Sequence, residues 1–111
     1  MIETTVLDYL SGKLDVPVYM EEPEKPPKRY AIIEKTGSER KNYINSAMLA
    51  LQSYGETLLQ AAELNEQVKE AMEDIVELDL VSRAELNTDY NFTDTQTKRY
   101  RYQAVYDLVF F

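Results

Sequence analysis

The spacing of apolar residues predicts two helices. Within residues 2–14 apolar side chains recur at helical intervals, and Gly12 is a helix stop signal. These apolar residues are Ile2, Val6, Leu7, Leu10 and Leu14. Within residues 56–78 the apolar positions again fall on one side of a helix. They are Ala61, Leu64, Val68, Ala71, Met72, Ile75 and Val76. Each helix therefore has one face suited to packing on a sheet.

Between these helices the pattern predicts three strands. Residues 16–20 form an edge strand, because Pro17 cannot donate a hydrogen bond to a central ladder. Tyr30–Lys35 form a second strand. Residues 46–55 (SAMLALQSYG) contain good helix formers, but a helix would scatter their apolar side chains around its whole circumference. A strand that is buried on both faces is therefore the better interpretation.

The C-terminal part predicts a hairpin. From Leu80 to Phe110 the even positions are mostly apolar and the odd ones mostly polar, with Thr93–Thr97 as a polar connection. A turn symmetric about Thr95 would place apolar residues opposite one another, in the pairs Tyr90/Tyr100, Leu86/Ala104 and Ala84/Tyr106. On the other side it would pair opposite charges, Asp89 with Arg101 and Arg83 with Asp107.

The mixture of arginine and tyrosine in this last strand (RYRY) has two interpretations. It is typical of a strand with one solvent-exposed and one buried side, and also of a surface that binds nucleic acid. The chain has a formal net charge of −8, and a few basic residues in so acidic a protein collect phosphates poorly. We therefore favour the two-faced strand.

Together these elements predict an α+β fold. We expect a single mixed or antiparallel sheet of about four to five strands, two helices packed on one face, and a C-terminal β-hairpin. A chain of 111 residues is the usual length of one domain, and 44% of its residues are apolar. Residues 1–111 are therefore expected to fold as one domain.

Composition argues against several functions. The chain has no histidine and no cysteine, so the commonest general base, the thiolate nucleophile and the usual zinc ligands are missing. Its three glycines are too far apart for a phosphate-binding loop. The N-terminus carries acids rather than the positive charge of a signal peptide. We expect a cytoplasmic protein that is not an enzyme, has no cofactor or metal, does not bind nucleic acid specifically and does not bind membranes.

The second predicted helix has a strongly acidic side. Its carboxylates fall within an arc of about 100°. This acidic face consists of Glu63, Glu66, Glu70, Glu73, Asp74 and Glu77. A solvated helix surface explains such a face, and so does a surface that must stay negative inside an assembly. The pattern leaves both interpretations open.

Three long segments resemble one protein family. They are DVPVYMEEPEKPPKRYAIIEKTGSER, ALQSYGETLLQAAELNEQVKEAM and LNTDYNFTDTQTKRYRYQAVYDL. They are similar to tail terminator, or tail completion, proteins encoded among the head–tail joining genes of siphophages and prophages of Gram-positive bacteria. The resemblance extends from Val16 to Leu108. Its most specific parts are the proline loop and the sequence YNFTDT.

The resemblance implies a structural role in phage assembly. It implies an α+β subunit that forms a ring, usually of six copies, which caps the tail tube and joins it to the head connector. The expected partners are the protein itself, the tail tube protein and the connector protein. The expected locations are the cytoplasm of the bacterial host and then the virion. Another neck or head-completion protein, or a small acidic adaptor or inhibitor of a basic partner, remains an alternative.

Two predicted loops are candidates for the contacts of such a ring. Glu21–Lys28 and Thr36–Lys41 are charged and join strands, and loops on a rigid sheet often carry binding residues. The candidate interface residues are Glu24, Lys25, Lys28, Ser38, Glu39, Arg40 and Lys41. Two mobile surface loops without a partner are the alternative interpretation.

Overall fold

Two helices and one five-stranded sheet make up the fold. The computed structural model describes the whole chain, Met1–Phe111. In chain order the elements are α1 (Ile2–Lys13), β1 (Val18–Tyr19), β2 (Tyr30–Lys41), β3 (Ile44–Gly55), α2 (Leu58–Glu73), a 3₁₀ turn (Ile75–Glu77), β4 (Val81–Asn91) and β5 (Tyr100–Phe110). The strand order is β1-β2-β3-β5-β4. β1 is parallel to β2 and all other neighbours are antiparallel, so the predicted mixed α+β sheet is confirmed.

Both helices pack on the same face of the sheet, as predicted. The main core combines side chains from α1, from α2 and from the covered face of the three inner strands. Its fully buried members include Val6, Leu10, Leu49, Leu51, Leu64, Val68, Met72 and Leu108. Burying one such side chain contributes about 1.5–3 kcal/mol before the entropy cost of ordering it. This face therefore provides most of the apolar stabilisation, and the opposite face of the sheet is free of helices.

Helix α2 begins with two side-chain caps that resemble a capping box. The side chain of Thr57 accepts a hydrogen bond from the backbone N–H of Gln60, and the Gln60 side chain accepts one from the N–H of Glu56. The helix is shorter than predicted, because it ends at Glu73 and continues as a 3₁₀ turn. The change in rotation leaves Val76 49% exposed, so its predicted place on the buried side is wrong.

The prediction of a loop at Thr36–Lys41 is wrong. These residues continue β2, which pairs with β3 as far as Lys41 and Ile44. A register shift between Lys35 and Gly37 separates the buried start of the strand from this exposed half. Polar residues suit a strand segment that is exposed to solvent on both faces. Such a segment lacks the alternation of apolar and polar residues from which a strand is predicted. The connection is reduced to Asn42 and Tyr43.

The predicted register of the C-terminal hairpin is also wrong. β4 carries two register shifts, between Val81 and Arg83 and between Leu86 and Thr88. A β-bulge adds a residue to one strand and moves the following side chains to the other face. The observed pairs are Tyr90 with Gln103, Asp89 with Ala104, Leu86 with Tyr106, Ala84 with Leu108, Glu85 with Asp107 and Arg83 with Val109. The proposed partnerships of Asp89 with Arg101 and of Arg83 with Asp107 therefore do not form.

Two further predictions are confirmed. On β5 the alternate residues Ala104, Tyr106 and Leu108 are buried under the helices, as expected of a two-faced strand. At the other side of the sheet β1 is an edge strand, and the carbonyl of Pro17 accepts a hydrogen bond from Ala31 N–H. β1 is shorter than the predicted residues 16–20 and pairs with only Ala31 and Ile32, so most of the outer edge of β2 is unpaired.

Candidate functional site

The acidic face of α2 lies on the surface. All of its predicted carboxylates are exposed: Glu63, Glu66, Glu70, Glu73, Asp74 and Glu77. Two of them have basic neighbours within the chain. Glu66 lies 2.9 Å from the ammonium of Lys69, and Glu77 lies 4.0 Å from that of Lys13. The face therefore presents more negative charge than the chain itself neutralises.

A groove separates this helix from the edge strand β4. α2 packs mainly over β3 and β5, so the helix-side surface of β4 is incompletely covered. The groove has a volume of about 370 Å³. Its apolar lining consists of Met72, Ala84, Leu86 and Tyr106, and its charged lining of Glu66, Lys69, Glu70 and Glu73. Burial raises the pKa of the Tyr106 phenol to about 12, so this side chain is neutral in ordinary buffers. We call the groove lined by these eight residues the α2–β4 groove.

A short polar network ties α2 to β4 beside this groove. The Nδ2 of Asn65, a fully buried helix residue, donates to Asp89 Oδ2 at 2.9 Å. Lys69 Nζ donates to the same oxygen at 2.9 Å. The hydrogen bond from Lys69 lowers the pKa of the Asp89 carboxyl, and the hydrogen bond to Asp89 raises the pKa of Lys69. Much of the charge of Lys69 is thus neutralised within the network.

The turn between β2 and β3 carries the first group of predicted interface residues. Ser38, Glu39, Arg40 and Lys41 are all exposed, but on a strand and not on a loop. Asn42 and Tyr43 have φ of 52° and 66°, the left-handed region that two-residue hairpin turns use. Tyr43 is 85% exposed, and the Arg40 guanidinium lies 5.8 Å from the centroid of its ring. We call Arg40–Ile44 the hairpin tip.

The second predicted group lies far from the tip, on the proline loop. Glu24, Lys25 and Lys28 are exposed. The loop is anchored through Glu22, whose carboxylate accepts hydrogen bonds from the Tyr30 hydroxyl at 2.7 Å and from Arg99. Lys28, Lys98 and Arg99 line a cleft of about 310 Å³ together with Pro26, Pro27, Tyr30, Tyr54, Gly55, Glu56 and Tyr100. The structure therefore does not bring the two predicted groups together.

The helix-free face of the sheet carries a polar chain that sequence reasoning missed. It crosses four strands, from Glu34 through Gln52 and Gln103 to Tyr90. Gln52 Nε2 donates to Gln103 Oε1 at 2.9 Å, and Gln103 Nε2 donates to the Tyr90 hydroxyl at 2.6 Å. Both glutamines are largely buried. Their position inside apolar segments was a signal, but only the pairing of β3 with β5 reveals the contact.

Aromatic and basic side chains surround this polar chain. The rings of Tyr30 and Tyr54 stack with their centroids 4.5 Å apart. Arg101 Nη1 donates to the Tyr54 hydroxyl at 2.9 Å, and its guanidinium lies 4.3 Å from the centroid of Phe92. The arginines of RYRY are therefore used within the chain, Arg99 against Glu22 and Arg101 against these rings.

No protein-family model and no curated protein matches the chain. No group of acidic side chains has the arrangement of a metal site. None of the helices combines the length and the apolar character needed to cross a bilayer. What the structure defines is an α+β subunit with one uncovered sheet face, unpaired strand edges on two opposite sides, an acidic groove and a basic, aromatic hairpin tip.

Proposed function

We propose that the protein is a ring-forming tail terminator of a siphophage or prophage. In this proposal several copies, usually six, close on the end of the tail tube, stop its growth and present a surface to the head connector. The resemblance of residues 16–108 to that family suggests the role. The partners are further copies of the chain, the tail tube protein and the connector protein.

One structural observation supports assembly into a ring. The two sides of the molecule are different: β4 leaves one outer edge unpaired, and β2 leaves the other unpaired beyond Ile32. Two unlike surfaces that bind each other make head-to-tail contacts, which form a closed ring when the rotation closes and a filament when it does not. A terminator needs the closed form.

The charge of the molecule fits a passage for DNA. The exposed carboxylates of α2 would repel phosphates, whereas capture of DNA needs lysines and arginines. The same charges also repel neighbouring subunits, so raising the ionic strength should favour assembly by screening them. Carboxylates that face a basic partner avoid part of this repulsion, and salt screens those that face a water-filled lumen.

Sedimentation velocity and negative-stain electron microscopy test the proposal. We expect discrete rings, at high protein concentration, at raised salt or on purified tail tubes. An excess of rings added to growing tubes should stop their elongation, and bovine serum albumin at the same concentration serves as the control. A protein that stays monomeric under all these conditions and does not bind tail tubes is not a terminator.

The exposed acidic face also supports a second candidate, an acidic adaptor or inhibitor that binds a basic partner as a monomer. Another neck or head-completion protein would form rings too, but at a different position. Localisation of the protein in assembled particles by electron microscopy separates these roles. Density at the end of the tail tube supports the terminator. Density at the portal side of the neck supports the other neck protein, and absence from particles supports the adaptor.

A further inference from the structure

The hairpin tip keeps a large aromatic residue where the backbone favours glycine. The second residue of such a two-residue turn is most often glycine, because a Cβ atom is strained at positive φ. Here it is Tyr43, with φ of 66° and 85% exposure. Ile44 beside it is 51% exposed. Strain of this kind persists where a side chain has a use, and exposed tyrosines are frequent anchors of interfaces.

The α2–β4 groove has the complementary chemistry. Leu86 in its lining is 44% exposed, so apolar area remains uncovered. Three carboxylates line it, those of Glu66, Glu70 and Glu73. Its one base, Lys69, is already held by Glu66 and Asp89. The hairpin tip presents Arg40 and Lys41 beside its two apolar side chains, so the tip and the groove match in both charge and polarity.

The geometry points to docking of the hairpin tip of one copy into the α2–β4 groove of the next copy. Arg40 and Lys41 then face the groove carboxylates, and Tyr43 and Ile44 cover the exposed side of Leu86. This inference rests on the proposed ring. Only Glu66, Glu70 and Glu73 of the acidic face are used, so Glu63, Asp74 and Glu77 stay free to line a passage.

The tip cannot occupy the groove of its own chain. β2 and β3 are paired from Gly37 up to the turn, so the tip is held at the end of this ladder. The groove lies beyond β5, at the other side of the sheet. The contact must therefore join two molecules, and because it joins unlike surfaces it repeats from copy to copy. Salt screens distant charges before contact pairs, so it relieves the overall repulsion between acidic subunits while these pairs persist.

Charge reversal tests the contact. R40E/K41E reverses the tip, and E70K/E73K reverses the groove. We expect each pair of changes to raise the protein concentration needed for assembly at least tenfold in sedimentation velocity. The two variants mixed together, or all four changes in one chain, should assemble within a few-fold of the parent, since opposite charges again meet. The control E63K/E77K reverses two acids of the same face outside the groove and should assemble at least as well as the parent.

Tyr43→Gly separates a structural role of the tyrosine from its role in assembly. Glycine relieves the strained turn, so Tm of the monomer should be unchanged or raised by a few degrees. Assembly should nevertheless weaken at least tenfold, because the aromatic side chain is lost. A purely structural tyrosine would give the opposite result for stability and no defect in assembly.

The outcomes also distinguish this contact from the proposed function. Rings that form equally well with R40E/K41E, E70K/E73K and Tyr43→Gly overturn the tip–groove contact and leave the terminator role standing. Defects that the mixture and the fourfold variant do not repair also overturn it, because the two surfaces then do not meet. If the parent protein never assembles, even on tail tubes, both the tip–groove contact and the terminator role are wrong. Circular dichroism of each variant verifies that its monomer is folded.

Discussion

Lys69 on α2 and Asp89 on β4 form an ion pair of 2.9 Å across the boundary between the helix layer and the edge strand. Asp89 lies opposite Ala104 on the helix-covered face, and Asn65 donates to the same carboxylate oxygen. α2 otherwise has little contact with β4, since it packs over the neighbouring strands. The pair therefore supplies polar attachment where apolar packing is thin.

Asp89→Asn should destabilise the protein at neutral pH by about 1–3 kcal/mol, because Lys69 and Asn65 lose a charged acceptor. The pKa of Asp89 is lowered in the folded protein, so its contribution is fully present above the ordinary pKa and is lost as the pH falls through the folded value. Urea unfolding of both proteins at a series of pH values below 7 measures this. A difference in stability that does not fall with the pH would contradict the role of the charge.

The register of the hairpin is tested by charge swaps. Asp89→Lys should destabilise the protein by placing two ammonium groups together, and adding Lys69→Asp should recover part of the loss. Arg101→Glu should recover nothing, because Arg101 lies on the other face of the sheet against Tyr54 and Phe92. A double-mutant cycle in urea measures both couplings. Rescue by Arg101→Glu would restore the symmetric register that the sequence predicts.

Gly55→Ala should destabilise the protein by about 1–3 kcal/mol, as overpacking does. A Cβ atom at Gly55 would lie 2.7 Å from the backbone nitrogen of Ala61 and from Gln60 Cβ, at the start of α2. Gly37→Ala is the matched control, since a Cβ there meets nothing within 4 Å. It should leave stability unchanged or raise it by up to about 1 kcal/mol, because glycine inside a strand is less stable than alanine. Equal denaturation midpoints for the two variants would refute the close approach.

Gly12→Ala should stabilise the protein by about 0.5–1 kcal/mol, because alanine loses less backbone entropy in a helix. Gly12 lies inside α1, which continues to Lys13, and a Cβ there meets nothing within 4 Å. Thermal unfolding measures the gain. A loss of stability would show that Gly12 acts as the helix stop that the sequence suggests.

The polar chain on the helix-free face is tested with Gln103→Leu. The change removes the nearer acceptor of the largely buried Gln52 amide, which then keeps only Glu34 at 3.4 Å, and it should destabilise the protein by about 1–3 kcal/mol. Gln67→Leu, on the exposed surface of α2, is the control and should change little. Chemical denaturation measures both. If leucine at position 103 is tolerated as well as at position 67, the chain of hydrogen bonds contributes no net stability.

Local pattern was sufficient wherever one face of an element is apolar. α1, α2 and β5 each bury a periodic set of side chains, so their type followed from the sequence, as did the placement of both helices on one face. β3 is buried on both faces, and it was identified because a helix would scatter its apolar side chains. Polar strand segments have no such set. The outer half of β2 was therefore predicted as a loop.

Longer-range features could not be predicted in the same way. The bulge before Thr88 reverses which face Asp89 and Tyr90 occupy, and nothing in the alternation of residues marks it. The groove depends on where α2 sits across the sheet, and the polar chain depends on β3 lying beside β5. The acidic residues of the candidate site were identified, but the apolar surface between them was not.

The place of β5 between β3 and β4 has a consequence for synthesis on the ribosome. The β2–β3 hairpin emerges early, but its inner edge pairs with residues 45 to 65 positions later, from Gly55 with Tyr100 to Asn45 with Phe110. Until those residues leave the exit tunnel, Leu49 and Leu51 have only part of their final neighbours, and β4 has no strand to join. Pairing between strands that are distant in the sequence slows folding and leaves aggregation-prone intermediates exposed. The nascent chain therefore passes through an interval in which β3 is incompletely paired, and this interval lasts until β5 has left the exit tunnel.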